Sequence, residues 1–224
     1  MEVTARIEVA FPLGRLAIAL VGDQGHGELA DVLMARFVKK CFWITGYYPP
    51  RSLVCILPLD DDNTDLLVQA ESPEAHLKLL GYLPPSQQEP LMNYAARMAG
   101  LMSLYISILS VAPLSPAVPP QFRPSAAWKL LIALFQPPLV ALEPTPQLIE
   151  SICSVLGVRL QQLYGQQFTK LWMCLKTQGL DEGEAGFNPK DTGWAKASCA
   201  KLSLLLEEWQ KKGITEAPGS KVDP

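Results

Sequence analysis

The chain has 224 residues, of which 49% are hydrophobic and only 18% are charged, and its formal net charge at pH 7 is −3. This composition is too apolar for a disordered segment and predicts a globular protein with a large core. A weakly acidic chain also lacks the strong basic field of most nucleic-acid-binding proteins. We therefore expect no direct nucleic-acid partner, and any anion site must be local.

An apolar run over residues 11–21 is followed by Gly22, Gly25 and Gly27, and then by a helical pattern over 28–41. A strand, a glycine-rich loop and a helix would open a dinucleotide- or phosphate-binding α/β enzyme, in which helix N-terminal amides hold phosphate. The spacing here is Gly-x-x-Gly-x-Gly, whereas that fold uses Gly-x-Gly-x-x-Gly, and the later segments do not alternate strands with helices. Such an enzyme, built on residues 22–27, is the alternative to the helical protein described next.

Three cations, Arg36, Lys39 and Lys40, occur close together near the end of this helical pattern. Residues three and four apart are neighbours on one face of a helix, so these side chains project together while Phe37 and Cys41 turn inward. The pattern predicts a small anion-binding face. Helix-end electrostatics offers a second explanation, because the macrodipole favours cations in a last turn by about 0.3–1 kcal/mol.

Helix signals then recur along the chain. The predicted starts are a cap and proline at Ser72-Pro73, a capping box over 86–89, Ser125, and Thr145-Pro146; further helical patterns cover 90–111, 160–175 and 191–212. Seven or so helices without convincing strands predict an all-α domain of stacked antiparallel helices.

The domain organisation follows from the placement of prolines. We predict a single helical-repeat domain over 1–213, with sub-halves 1–112 and 125–213 on either side of a proline-rich segment, and a polar tail over 214–224. Residues 98–122 contain no charged side chain, but prolines interrupt them before they reach the roughly 20 residues that a membrane span needs. A buried helix is therefore predicted there rather than a membrane span.

Residues for catalysis or metal binding are sparse. Only His26 and His76 could supply imidazole, and the five cysteines include no Cys-x-x-Cys pair. The cysteines are typical of reduced core residues in an intracellular protein. The carboxylates Glu207 and Glu208 lie beside lysines and are expected to form solvated pairs rather than an acid–base pair. The sequence thus predicts neither an enzyme nor a zinc site.

Five short segments occur in an order that matches one known family. They are Phe11-Pro12-Leu13-Gly14 with Phe37-Val38-Lys39-Lys40-Cys41, His76-Leu77-Lys78-Leu79-Leu80-Gly81-Tyr82, Tyr94-Ala95-Ala96-Arg97-Met98-Ala99-Gly100-Leu101, Trp128 with Leu130 and Leu131, and Leu163-Tyr164-Gly165-Gln166-Gln167-Phe168. Together they cover the chain from residue 11 to about residue 212. The chain resembles the C-terminal domain of the Gle-one family of nuclear-pore mRNA-export mediators.

This resemblance implies a HEAT-like fold akin to the middle domain of translation-initiation scaffolds. It implies a nucleoporin-type export factor without its own catalytic site, which acts in the nucleus at the cytoplasmic face of the nuclear pore complex and in the cytoplasm. The implied partners are a DEAD-box RNA helicase that the domain activates, a nucleoporin peptide held around Trp172 and Trp194, and translation factors. A helical scaffold or decayed paralogue without helicase activity is a further alternative.

The resemblance also implies that Arg36, Lys39 and Lys40 bind inositol hexakisphosphate, wedged between this domain and the helicase. Three charge-assisted contacts of about 1.5–3 kcal/mol each give roughly 5–9 kcal/mol in total. Nanomolar binding needs about 12 kcal/mol after the costs of association. These three residues therefore require further contacts, and the family takes some of its own from a segment upstream of Phe11.

Overall fold

The computed structural model describes residues 9–21, 27–49, 73–87, 89–187, 193–217 and 220, and these contain eight α-helices and no strand. The helices are α1 Ala10–Val21, α2 Gly27–Lys40, α3 Pro73–Leu79, α4 Leu91–Val111, α5 Pro124–Leu134, α6 Thr145–Tyr164, α7 Gln166–Cys174 and α8 Gly193–Lys212. The predicted all-α architecture is confirmed. Gly22, His26, Cys55 and Ser72 lie outside the described residues.

The stack is built mainly from four helices, in the spatial order α1, α4, α6 and α8. Helix α4 packs against α1 on one side and against α6 on the other, α6 packs against α8, and α5 lies against both α4 and α6. The side chains between these layers form one hydrophobic core. Trp43, Phe122 and Phe168 are among its largest fully buried members. Such stacking lets each amphipathic helix bury its apolar face against the next.

Helix α4 occupies the centre of the stack. Within the described residues it is the one helix long and apolar enough to cross a membrane, but 67% of its apolar window is buried inside the protein. The α1 backbone approaches it at Gly14, where a Cβ would lie 3.1 Å from the Ile108 nitrogen, and Ser107 Oγ donates to the Ala10 carbonyl oxygen across 2.8 Å. The central position of α4 accounts for its apolar composition.

The α/β alternative is wrong. It required a strand over residues 11–21, and this segment forms α1, whose buried side packs on α4. The apolar run suited either structure, because a short run of hydrophobic residues carries no decisive periodicity. In the structure this segment is a helix, and its Phe11 side chain is 1% exposed because α1 packs on α4.

Three predicted helix caps are also wrong. Helix α6 begins at Thr145 itself, after Pro144, and the Thr145 hydroxyl donates to the Leu139 carbonyl oxygen instead of capping the helix. Helix α4 begins at Leu91 after Pro90 with no side-chain cap, and Glu89 forms an ion pair with Arg97 instead of closing a capping box. Helix α5 begins at Pro124, one residue before Ser125. Its start is fixed by Arg123, whose side chain donates to two carbonyl oxygens of the preceding proline-rich loop, 2.7 and 2.8 Å away.

The proline-rich segment between α4 and α5 is packed against the core. Val118 is 1% exposed and Phe122, in a short 3-10 helix, is fully buried. Helices α4 and α5, which flank this segment in the chain, contact each other, and α6 also packs directly on α4. The division into sub-halves 1–112 and 125–213 stays a prediction.

The C-terminal part of the chain is tied to its neighbours. A π-helix, Leu175–Asp181, continues α7, and Lys176 within it forms ion pairs with Asp181 at 2.5 Å and with Glu207 of α8 at 3.5 Å. Beyond α8, Ala217 is buried, and Arg15 of α1 donates to the Ser220 carbonyl oxygen across 2.6 Å. The described start of the predicted polar tail therefore packs onto the helical stack.

Candidate anion-binding surface

The three predicted cations lie on the exposed side of the last two turns of α2. Arg36, Lys39 and Lys40 are all exposed, whereas Phe37 is 5% exposed and packs edge-on against Tyr105 of α4, with the ring centroids 5.6 Å apart. The burial of Phe37 fixes which side of α2 faces solvent. It follows that the three cations share the outer side, as the helical spacing predicted. We call them the α2 cations.

The α2 cations have no hydrogen-bond or ion-pair partner among the described residues. Guanidinium and ammonium groups bind phosphate oxygens well, so their chemistry fits a polyphosphate ligand. The backbone at this end of α2 would repel an anion, because the C-terminal end of a helix carries partial negative charge. Side chains, rather than backbone amides, would have to hold an anion here.

The end of α2 meets a sharp turn that follows α3. Gly81 lies in this turn with φ of +81°, and a Cβ added to it would lie 3.1 Å from the carbonyl oxygen of Lys40. The left-handed conformation and the close approach both favour glycine at this position. The turn over 80–82 therefore lies directly beside the C-terminal end of the basic helix.

Side chains from α4 hold that turn in place. Arg97 donates to the Gly81 carbonyl oxygen across 2.9 Å, and Tyr94 donates its hydroxyl to the Leu80 carbonyl oxygen across 2.7 Å. The Trp43 indole in turn donates to the Tyr94 hydroxyl across 3.2 Å. Because these bonds are partly or fully buried, they fix the turn, and with it the end of α2, to the core.

A buried, neutral thiol lies directly after the α2 cations. Cys41, the residue after Lys40, is fully buried, with its sulfur 4.0 Å from the Met98 carbonyl oxygen. Burial raises the pKa of the Cys41 thiol to about 12, so the thiol is neutral at physiological pH. The thiol thus adds no charge beneath the end of α2, and the three cations themselves are exposed.

The sequence predicts the α2 cations as a candidate site but gives no indication of the groups that hold the end of α2. Arg97 was part of a resembling segment without an assigned role, and Glu89 was read as a capping residue. The two lie eight residues apart across a helix start, with Arg97 Nε 3.3 Å from a Glu89 oxygen. No local pattern predicts a pair at that separation, since helix-face rules extend only three or four residues.

The family model for GLE1-like protein matches residues 1–176. The chain belongs to the GLE1-like protein family. The resemblance to Gle-one drawn from the five segments is thus confirmed. Three of those segments, at the end of α2, the Gly81 turn and the first half of α4, meet at the surface described above.

Curated relatives are named mRNA export factors. The chain is 24% identical to mRNA export factor GLE1 of Saccharomyces cerevisiae over 97% of this chain and 36% of the relative. It is 25% identical to the Rattus norvegicus GLE1 over 100% of this chain and 29% of the relative. It is 31% identical to Drosophila melanogaster Gle1 over 95% of this chain and 28% of the relative. The chain spans about a third of the length of these relatives.

Solved structures share the fold. One, described as the S. cerevisiae Dbp5 L327V C-terminal domain bound to Gle1 and IP6, superposes with a TM-score of 0.73 at 23% identity, over 98% of this chain and 66% of that chain. A second, with Gle1 H337R and IP6, gives a TM-score of 0.71 at 22% identity. At this level of identity the likeness establishes the GLE1-like helical fold.

Proposed function

We propose that this GLE1-like chain binds inositol hexakisphosphate through Arg36, Lys39 and Lys40 and activates a DEAD-box RNA helicase during mRNA export. The observation that supports this most is the set of exposed α2 cations without described partners, held on a fixed base. The solved relative bound to the Dbp5 C-terminal domain and IP6 gives the proposal its ligand and its class of partner. We place this activity at the cytoplasmic face of the nuclear pore and in the cytoplasm.

In the proposed mechanism the ligand supplies negative charge between two basic protein surfaces. Without it, the α2 cations would repel a basic helicase surface; with it, both surfaces contact the same phosphates. The Gly81 turn and Arg97 keep the end of α2 in one position, so that little conformational freedom is lost on binding. Binding and activation are therefore expected to weaken as salt rises.

We further propose that the chain is a regulator, with ATP hydrolysis performed by the helicase, without a membrane span of its own and without direct contact to nucleic acid. Translation factors are proposed as additional partners. A nucleoporin peptide is proposed to bind the C-terminal half of the chain. Two open surface grooves border tryptophans of this half: one of about 310 Å³ is lined by Trp172 and Trp209, and one of about 230 Å³ is lined by Trp194 and Met92. Tryptophan is enriched among the residues that carry most of the binding energy at protein interfaces.

The test is stimulation of helicase ATPase activity by the native chain with and without inositol hexakisphosphate. The test variant is Lys39→Gln/Lys40→Gln. The control is Lys211→Gln/Lys212→Gln, because these lysines also form an exposed pair in the last turn of a helix, α8. We expect the ligand-dependent stimulation to fall in the first variant and to persist in the control. An equal ligand response in both variants would contradict the assignment of the site.

A further inference from the structure

Helices α2 and α3 end beside each other, and each has exposed lysine in its last turn: Lys39 and Lys40 in α2, Lys78 in α3. We infer that Lys78 is a fourth cation of the anion-binding surface and that the ligand is a polyanion wide enough to contact both helix ends. This inference rests on the proposed function and extends it to a residue of a second helix.

One turn joins the two helix ends. The Gly81 amide donates to the Lys78 carbonyl oxygen across 3.0 Å, and the same glycine approaches the Lys40 carbonyl oxygen so closely that a Cβ would lie 3.1 Å from it. Lys78 is thus three residues from a point of direct contact with the end of α2. Lysine side chains extend several ångströms on flexible stems, so ammonium groups from both helices can converge on one multivalent ligand.

The orientation of α3 is fixed by its buried side. His76 is 5% exposed; its Nε2 lies 3.0 Å from the Pro49 carbonyl oxygen, and its ring packs edge-on against Tyr48 at 5.9 Å. A residue two positions further along a helix points to the opposite side. Lys78 is accordingly exposed, and it has no partner among the described residues.

A carboxylate accompanies Lys78 on the outer side of α3. Glu74 lies four residues earlier and is exposed, so the two side chains occupy the same face. Its negative charge opposes an anion bound near Lys78. This gives two predictions of opposite sign on one helix: removing the Lys78 charge weakens binding, and removing the Glu74 charge strengthens it.

The number of anionic groups on the ligand determines how well it can use cations from two helix ends. Inorganic phosphate offers one anionic group to the cations of both helix ends, whereas a ring that carries several phosphates offers a separate group to each end. We therefore expect Lys78→Gln to weaken the binding of inositol hexakisphosphate more than that of inorganic phosphate.

The experiment measures the dissociation constant for inositol hexakisphosphate by isothermal titration calorimetry. It compares the native chain, Lys78→Gln, Glu74→Gln, Lys39→Gln/Lys40→Gln and the control Lys211→Gln. We expect Lys78→Gln to weaken binding roughly 3- to 10-fold, Glu74→Gln to strengthen it roughly 2- to 3-fold, and Lys211→Gln to leave it unchanged. Inorganic phosphate serves as the single-phosphate probe.

The outcomes separate this inference from the function on which it rests. If Lys39→Gln/Lys40→Gln abolishes binding while Lys78→Gln and Glu74→Gln both bind like the native chain, Lys78 is not part of the surface. If the native chain itself does not bind inositol hexakisphosphate, the proposed function fails and the inference fails with it. Thermal unfolding of each variant checks that the fold is retained, and surface substitutions of this kind should change stability little.

Discussion

The guanidinium of Arg97 donates to the carbonyl oxygen of Gly81 across 2.9 Å while it forms an ion pair with Glu89. This one side chain therefore links the start of α4 to the turn beside the basic end of α2. The pair is mostly buried, with 23% of the Arg97 side chain and 12% of the Glu89 side chain exposed. Loss of either partner would leave the other charge poorly solvated.

We predict that Arg97→Gln lowers the free energy of unfolding by about 2–4 kcal/mol, because it removes a charge-assisted hydrogen bond and leaves Glu89 unpaired. Urea denaturation followed by circular dichroism measures the change. The double variant Glu89→Gln/Arg97→Gln should lose less than the sum of the two single variants. Additive losses would show that the pair contributes no coupling energy.

We predict that Gly81→Ala destabilises the protein more than Gly213→Ala. The two glycines have nearly the same φ, +81° and +80°, so both substitutions carry the left-handed strain of about 1–2 kcal/mol. Only at Gly81 does the added Cβ meet a backbone atom, the Lys40 carbonyl oxygen; at Gly213 it meets open space. Equal losses in thermal denaturation would mean that the turn is not held tightly against α2.

We predict that Gly157→Ala destabilises the contact between α6 and α8 by about 1–3 kcal/mol. A Cβ at Gly157 would lie 2.6 Å from Trp209 Cζ2, and this indole ring is 3% exposed and cannot move freely. Gly193→Ala, at the first residue of α8, meets open space and serves as the control. Chemical denaturation of both variants provides the comparison, and a stable Gly157→Ala protein would contradict the close packing.

We predict that stability falls as pH rises from about 9 towards 12. Burial raises the pKa of the Cys41 and Cys153 thiols from 9.0 to about 12, and it also raises the pKa of Tyr94 and Tyr105. A raised folded-state pKa means that the unfolded chain releases these protons first. The stability is therefore complete below the unfolded pKa and is lost progressively above it.

The measurement is the free energy of unfolding as a function of pH for the native chain and for Cys41→Ala/Cys153→Ala. The double variant should begin at lower stability, because it leaves cavities, but should show a shallower decline between about pH 9 and 12. Parallel curves for the two proteins would exclude the buried thiols as the cause.

Alkylation of the folded protein should modify the exposed Cys174 far faster than the buried Cys41 and Cys153.

Periodicity was enough to predict the helices, because their apolar faces bury side chains at helical spacing, as in α2 and α6. Periodicity did not by itself distinguish helix from strand over residues 11–21, where an apolar run fits both. The caps predicted at Ser86 and Ser125 are wrong because contacts between residues five to eight positions apart hold these helix starts. Arg97 binds Glu89, and Arg123 binds the proline-rich loop.

The part of the candidate site that lies within one helix could be predicted from helix spacing. Arg36, Lys39 and Lys40 lie within five residues of one another, so helix geometry alone places them together. Lys78 is separated from Lys40 by 38 positions and adjoins it only because Gly81 packs on the end of α2. No sequence pattern within one helix contains that relationship.

The most direct test of the central claim is the affinity of the native chain for inositol hexakisphosphate at two salt concentrations, beside Lys39→Gln/Lys40→Gln and Lys211→Gln/Lys212→Gln. The two variants remove the same charge from equivalent helix ends, so they separate ligand binding from helix-end electrostatics. We expect the native chain and the α8 variant to bind with equal affinity that falls as salt rises, and the α2 variant to bind at least about 10-fold more weakly. Equal affinities for all three proteins would contradict the assignment of this surface.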